Sequence, residues 1–299
     1  MIEDAYVADL RLRGYAKITV ETDIRRLRQY LTWCVARGLD PIEADQEDLK
    51  VYLAEERGKG HKLATIKKTF STLASFYEWL EEDGKASAGP VRYIQKKYLR
   101  AYKSDAETRK LISIEEAAKM VAATIDSRDR AILLVLLKTG IRREELVTLD
   151  VSDVNMTKRE IRLKPTAKRS NRTVFFDAEC HEALSRWLKV RDRLQPESSA
   201  LFTGHGGSRL HGGGIWIAVE KAAERVGITD RNSDRMDERF SPHCCRHWFC
   251  THLFRSGMRR EFIKELRGDS KKDAFDVYNH IDMKELKEAY LACIPQLGV

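Results

Sequence analysis

Seven consecutive apolar residues, Ala131 to Leu137, are the longest uninterrupted apolar run in the chain. A bilayer span needs roughly 20 such residues, so this run cannot be one. As part of a helix over Asp129 to Lys138 it is apolar on most of its sides, and such a helix must be enclosed by other elements. The chain has the material to enclose it. Its 299 residues, 42% hydrophobic, suit two domains with separate cores and argue against a disordered chain. The opening Met-Ile-Glu-Asp-Ala-Tyr carries two acids and no basic segment followed by an apolar core. The expectation is therefore a cytoplasmic protein without a secretory signal, with its six Cys as free thiols.

Periodicity divides the chain. Thr19 is a candidate cap for a helix whose apolar positions Val20, Ile24, Leu27, Leu31 and Val35 follow three-to-four-residue spacing, ending near Gly38. Glu47 to Glu55 and the stripe Leu63, Ile66, Phe70, Leu73, Phe76, Tyr77 and Leu80, closed by Gly84, predict two more helices. With Ala5 to Leu12 these make a bundle of four or five helices over residues 1–88. Residues 89–111 read as a basic linker, and residues 112–299 as a second domain. There a helical stretch runs from Ser113 to the turn at Gly140, and Glu160 to Lys164 with Arg172 to Phe176 predict a β-hairpin. Helices follow at 179–193, 214–226, 242–257, 259–266, 272–278 and 283–292. The fold class expected is mainly α with a small β-sheet in the C-terminal domain.

Charge is concentrated rather than spread. The net charge is +8. Lys85 to Lys110 holds eight basic and two acidic residues, and Lys158 to Arg172 holds seven basic and one acidic. The rest of the chain is mildly acidic. Tyr93, Tyr98 and Tyr102 are interleaved with the first patch, a pattern that points to a polyanion although either patch could be a solvated face.

Three motifs combine into one signal. Thr139-Gly140-Ile141-Arg142-Arg143-Glu144-Glu145-Leu146 turns a core helix into one that starts with arginine. His243-Cys244-Cys245-Arg246 is an H-x-x-R behind Pro242. Leu266-Arg267-Gly268-Asp269 is followed nine residues after the aspartate by Tyr278. In this order and spacing they resemble the catalytic domain of tyrosine recombinases, the family of phage integrases and Xer-type resolvases. The first 88 residues are similar to that family's core-binding (SAM-like) domain. The segment Leu266 to Ile281 looks closest in wording to archaeal and archaeal-virus members.

The resemblance implies site-specific DNA recombination through a covalent 3′-phosphotyrosine intermediate, without metal, ATP or other cofactor. Tyr278 is then the nucleophile, and the phosphotyrosine bond conserves the energy of the broken linkage. A free phenol has a pKa of about 10, so neighbouring cations must favour its ionisation. Arg142 and Arg246 would grip the non-bridging phosphate oxygens with planar, permanently charged forks. His243 would hydrogen-bond the phosphate or take the tyrosine proton, and Glu145 would orient the site. The family's general acid is a lysine on the hairpin loop. Lys168 is the expected one, although it sits about one residue from the family position, and Lys164 is the alternative. Arg92, Lys96, Lys97, Arg100, Lys103, Lys164, Arg169 and Arg172 are the expected DNA-backbone contacts. Double-stranded DNA, a synaptic tetramer and accessory DNA-binding proteins are the implied partners, with Met283 to Ala292 either the helix passed between protomers, presenting Tyr290 and Leu291, or a helix folded back on its own domain.

Asp269 departs from the family, which mostly has His or Trp there. An anion beside a phosphate is unfavourable, so the expected role is to accept a hydrogen bond from Arg142, Arg246 or a histidine. The cluster Cys244, Cys245, His247, Cys250 and His252 falls on one helix and points in several directions, unlike the separated ligand pairs of a zinc site, so buried thiols are the better reading. Two rivals to recombination remain. Type IB topoisomerases use a similar residue set, but with Lys at the position of His243. A catalytically impaired DNA-binding protein of the same fold has only Asp269 in its favour.

Overall fold

A computed structural model describes residues 2–85, 90–100, 109–165, 171–233, 235–269 and 281–299. The chain forms two compact units, residues 1–106 and 107–299. No helix among the described residues is long and apolar enough to cross a membrane.

The first unit contains α1 (Ile2–Leu12), α2 (Lys17–Ala36), α3 (Gln46–Gly58), α4 (Leu63–Glu82) and the short α5 (Val91–Ile94), which runs into a π-helical turn, Gln95–Leu99. Its core is rich in aromatics: Tyr30, Trp33, Tyr52 and Tyr77 pack together, and the Tyr30 and Tyr77 hydroxyls lie 2.7 Å apart. Two details of α2 differ from the periodicity. The helix starts behind Ala16, without a side-chain cap, leaving Thr19 in its first turn. Val35 is 75% exposed, and Tyr30, Trp33 and Cys34 are buried instead. At 100° per residue, two steps of four from Leu27 rotate Val35 about 80° off the buried stripe. Val91, Ile94 and Leu99 are buried in the same core, so the expected linker is helical and packed from Val91 to Leu99.

In the second unit the expected Ser113 to Gly140 stretch is two helices, α6 (Ile114–Ala122) and α7 (Ser127–Thr139). Asp126 separates them by capping α7 through the Asp129 amide at 2.9 Å. Every residue of α7 from Ala131 to Thr139 is buried. It packs against α9 (Ala178–Leu194), α10 (Gly212–Arg225) and α11 (Pro242–Arg255). The remaining helices are α8 (Arg143–Thr148), α12 (Arg260–Arg267) and α13 (Met283–Cys293). The helix expected over 272–278 lies outside the described residues.

The hairpin is present as β2 (Glu160–Arg162) and β3 (Thr173–Phe175), paired Glu160 to Phe175, Ile161 to Val174 and Arg162 to Thr173. A third antiparallel strand, β1 (Val154–Asn155), pairs with β2 and was not expected.

The C-terminal helix folds back on its own domain. Leu286 and Tyr290 are buried, and the Tyr290 hydroxyl donates to the Lys138 carbonyl at 2.8 Å, so Tyr290 is core while Leu291 is exposed. Behind α13 the chain is tied down by ions. The fully buried Lys138 ammonium donates to Asp177 (2.6 Å), Glu179 (2.5 Å) and the Pro295 carbonyl (2.6 Å). Glu179 also accepts from the amides of Leu297 and Gly298.

Candidate active site

A cleft of about 340 Å³ in the second unit is lined by Arg109, Ile141, Arg142, Arg143, Glu144, Trp216, Ser241, Pro242, His243 and Arg246. Three of the expected site residues therefore face one space. Lys168 and Tyr278 lie outside the described residues, as do Lys103 and Arg169.

Helix ends position these groups. α7 stops at Gly140, which adopts a left-handed conformation (φ 61°) and turns the chain so that Arg142 precedes α8 as its N-cap. A Cβ at Gly140 would lie 2.3 Å from the Phe249 ring, so the close approach of α11 also requires glycine. Arg246, buried on α11, donates from Nη1 to the Gly140 carbonyl and from Nη2 to the Arg267 carbonyl, both at 2.6 Å. Those acceptors sit at the ends of α7 and α12, where unpaired carbonyls carry the negative end of the helix dipole. Burial, followed by the charge of Arg142, lowers the Arg246 pKa to about 10, which still leaves it protonated at neutral pH.

Glu145, 3% exposed, holds Arg142 twice: Oε2 accepts from the Arg142 amide (2.7 Å) and Oε1 from Arg142 Nη1 (3.0 Å). Burial alone would raise the Glu145 carboxyl. Hydrogen bonding and charge from Arg172, then Arg142, outweigh it and keep the carboxyl below its usual range.

His243 begins α11 at the mouth of the cleft. Desolvation, then the charges of Arg109 and Arg246, push its pKa down from 6.5 to about 4; the side chain is exposed at the surface, so the fixed charges of the arginines are the firmer of the two causes. Both causes disfavour the imidazolium, so the ring is neutral at physiological pH and can accept a proton. Arg109 was expected only as part of the basic linker. No motif marks it, and only its place in the cleft identifies it.

Asp269 has a different partner from those expected. Its Oδ1 accepts from Arg267 Nε at 2.9 Å, while Arg246 Nη2 is 3.9 Å away, too far for a hydrogen bond. Among the expected DNA contacts, Lys96 and Arg100 are exposed; Arg92 pairs with Glu78 at 2.9 Å and Lys97 with the Tyr93 hydroxyl at 2.6 Å. Lys164 pairs with Asp150 and, at 3.2 Å, with Asp153. Arg172 departs most: it is buried and bound to Glu145 and the Leu266 carbonyl, because its guanidinium is the counter-charge to a buried carboxylate. Cys244 and Cys245 are buried thiols, and Cys250 is partly buried.

The phage integrase family model matches residues 102–285, and the N-terminal SAM-like domain of phage integrase matches residues 3–85. Among similar proteins, the tyrosine recombinase XerC of Thermodesulfovibrio yellowstonii is 27% identical over 263 residues, covering 84% of this chain and 83% of its own. That of Vibrio cholerae is 26% identical over 282 residues, covering 92% and 85%. Solved structures share the fold. The Tn1549 transposon integrase in complex with transposon right end DNA has a TM-score of 0.71 at 19% identity, covering 96% of this chain and 97% of that one. The lambda integrase dimer bound to a COC′ core site has 0.69 at 18%, covering 94% and 98%. The family match spans more than half of the chain and contains the cleft with Arg142, His243 and Arg246: the chain belongs to the phage integrase family of tyrosine recombinases, enzymes of site-specific DNA recombination.

Proposed function

We propose that the cleft binds the scissile phosphate of duplex DNA and that Tyr278 attacks it, forming a 3′-phosphotyrosine and releasing a 5′-hydroxyl. The observation that carries this reading is the convergence of Arg142, His243 and Arg246 on one cleft, where desolvation and the neighbouring arginines disfavour the imidazolium. Two guanidinium forks neutralise the non-bridging oxygens as charge builds in the transition state. A neutral imidazole is the protonation state needed to take the phenolic proton or to hydrogen-bond the phosphate. Glu145 positions Arg142. Asp269 acts through Arg267, whose carbonyl holds Arg246.

Lys168 is the proposed general acid, protonating the leaving 5′-oxygen. Its rival Lys164 is held by two carboxylates, and hydrogen bonding to Asp150 raises its pKa, which makes it a poorer proton donor. Lys96, Lys97, Arg100, Lys103 and Arg169 are the proposed backbone contacts, with a helical first domain and a catalytic second domain both engaging the duplex. Assembly into a synaptic tetramer on two duplexes, aided by accessory DNA-binding proteins, and a cytoplasmic location complete the proposal. A nicked suicide duplex carrying a crossover site first mapped for this protein tests it: the wild-type protein should become covalently attached and Tyr278→Phe should not. No attachment by the wild type sinks the reading.

A further inference from the structure

We infer that Arg172 is a positioning residue for the phosphate-binding arginines rather than a contact to DNA. Its backbone is fixed just beyond the β2–β3 pairing, where its carbonyl accepts from the Leu163 amide at 2.9 Å. Its side chain, 5% exposed, is fixed as well. Nη1 and Nη2 donate to the two Glu145 oxygens at 2.9 and 3.1 Å, and Nε donates to the Leu266 carbonyl at 2.7 Å. The same carboxylate oxygens receive the Arg142 side chain and amide. Glu145 is thus shared between a buried arginine behind it and a cleft arginine in front.

The arrangement has a directional consequence. A carboxylate bound on only one side can rotate toward its remaining partner, whereas one gripped by a planar fork cannot. Arg142 is 40% exposed and has no other anchor among the described contacts, so its aim into the cleft depends on the aim of Glu145. The Nε bond reaches the last turn of α12, next to the Arg267 carbonyl that holds Arg246. One buried guanidinium therefore supports both arginines of the site. Lysine has no fork with which to serve a carboxylate and a carbonyl together, so Arg172→Lys should not substitute.

This inference rests on the phosphate-binding role proposed for Arg142. The test is single-turnover covalent attachment of the full-length protein to the nicked duplex, with the scissile linkage either a phosphodiester or an uncharged methylphosphonate. Removing the phosphate charge removes the need for an aimed arginine. Arg172→Ala should lose about 10²-fold on the phosphodiester, the cost of a misplacement near 1 Å, and less than about 10-fold on the methylphosphonate. Arg142→Ala should shift the preference in the same direction. The charge-balanced pair Glu145→Gln with Arg172→Met leaves no unpaired buried carboxylate and should shift it too, which guards against a folding defect. Unchanged preference in both the single variant and the pair overturns the inference alone. A wild type that attaches to neither substrate overturns the underlying function and the inference with it.

Discussion

Replacing Gly140 with alanine should destabilise the second unit by about 2–5 kcal/mol, from two separable causes. A non-glycine residue held at φ 61° costs about 1–2 kcal/mol. The new Cβ would also meet Phe249 ring carbons at 2.3, 2.7 and 2.9 Å. That ring is fully buried and cannot swing away, so relieving the overlap should cost about 1–3 kcal/mol more. Gly257 supplies the control. It too has positive φ (83°), but an added Cβ finds nothing within 4 Å, so Gly257→Ala should cost the backbone contribution alone. Urea unfolding of the intact chain, followed through hydrogen exchange of the α7 amides, measures both. Equal losses for the two variants would refute the contact argument. A loss below about 1 kcal/mol for Gly140→Ala would refute the backbone argument as well.

Two further expectations concern protons and buried charge. In the DNA-free protein His243 should titrate near pH 4 by NMR, and Arg109→Ala should move the midpoint upward; a midpoint at or above 6.5 contradicts the cleft electrostatics. Because the folded pKa is below the unfolded one, the unfolded chain binds the extra proton between about pH 4 and 6.5. The His243 contribution to stability therefore falls as pH drops through that window and is unaffected above it. Lys138→Met should cost about 3–5 kcal/mol in chemical denaturation by stranding Asp177 and Glu179, and a loss under about 1 kcal/mol would show that those carboxylates find other partners.

Motifs that sit on helix ends were the legible part of the site. Gly140 and the residues behind it, and Pro242 ahead of His243, are local signals because a turn or a helix start constrains residue type directly. The buried α7 was equally legible, since a helix apolar all round has one fate. The break before it was marked only by Asp126, a single capping residue inside an otherwise helical pattern. The packed helix after Pro90 escaped because its buried positions are Val91, Ile94 and Leu99: the π-helical turn inserts a step of five that no three-to-four pattern detects. Arg172 was not recoverable at all. In a run of surface-like cations nothing distinguishes the one whose partner, Glu145, lies 27 residues earlier.

The pairing of Arg246 with two main-chain carbonyls has a genetic consequence. Its partners, Gly140 and Arg267, contribute peptide oxygens rather than side chains, so most substitutions nearby cannot delete an acceptor. Tolerance in this neighbourhood should therefore follow backbone conformation rather than side-chain chemistry. The vulnerable positions are Gly140 and Gly268, both left-handed, which fix where those oxygens point. Substitution of Arg267 removes its side-chain bond to Asp269 but not the bond its carbonyl makes to Arg246. In a saturation library, the loss of a properly aimed Arg246 would then appear at these two glycines as well as at Arg172, which holds the adjoining Leu266 carbonyl.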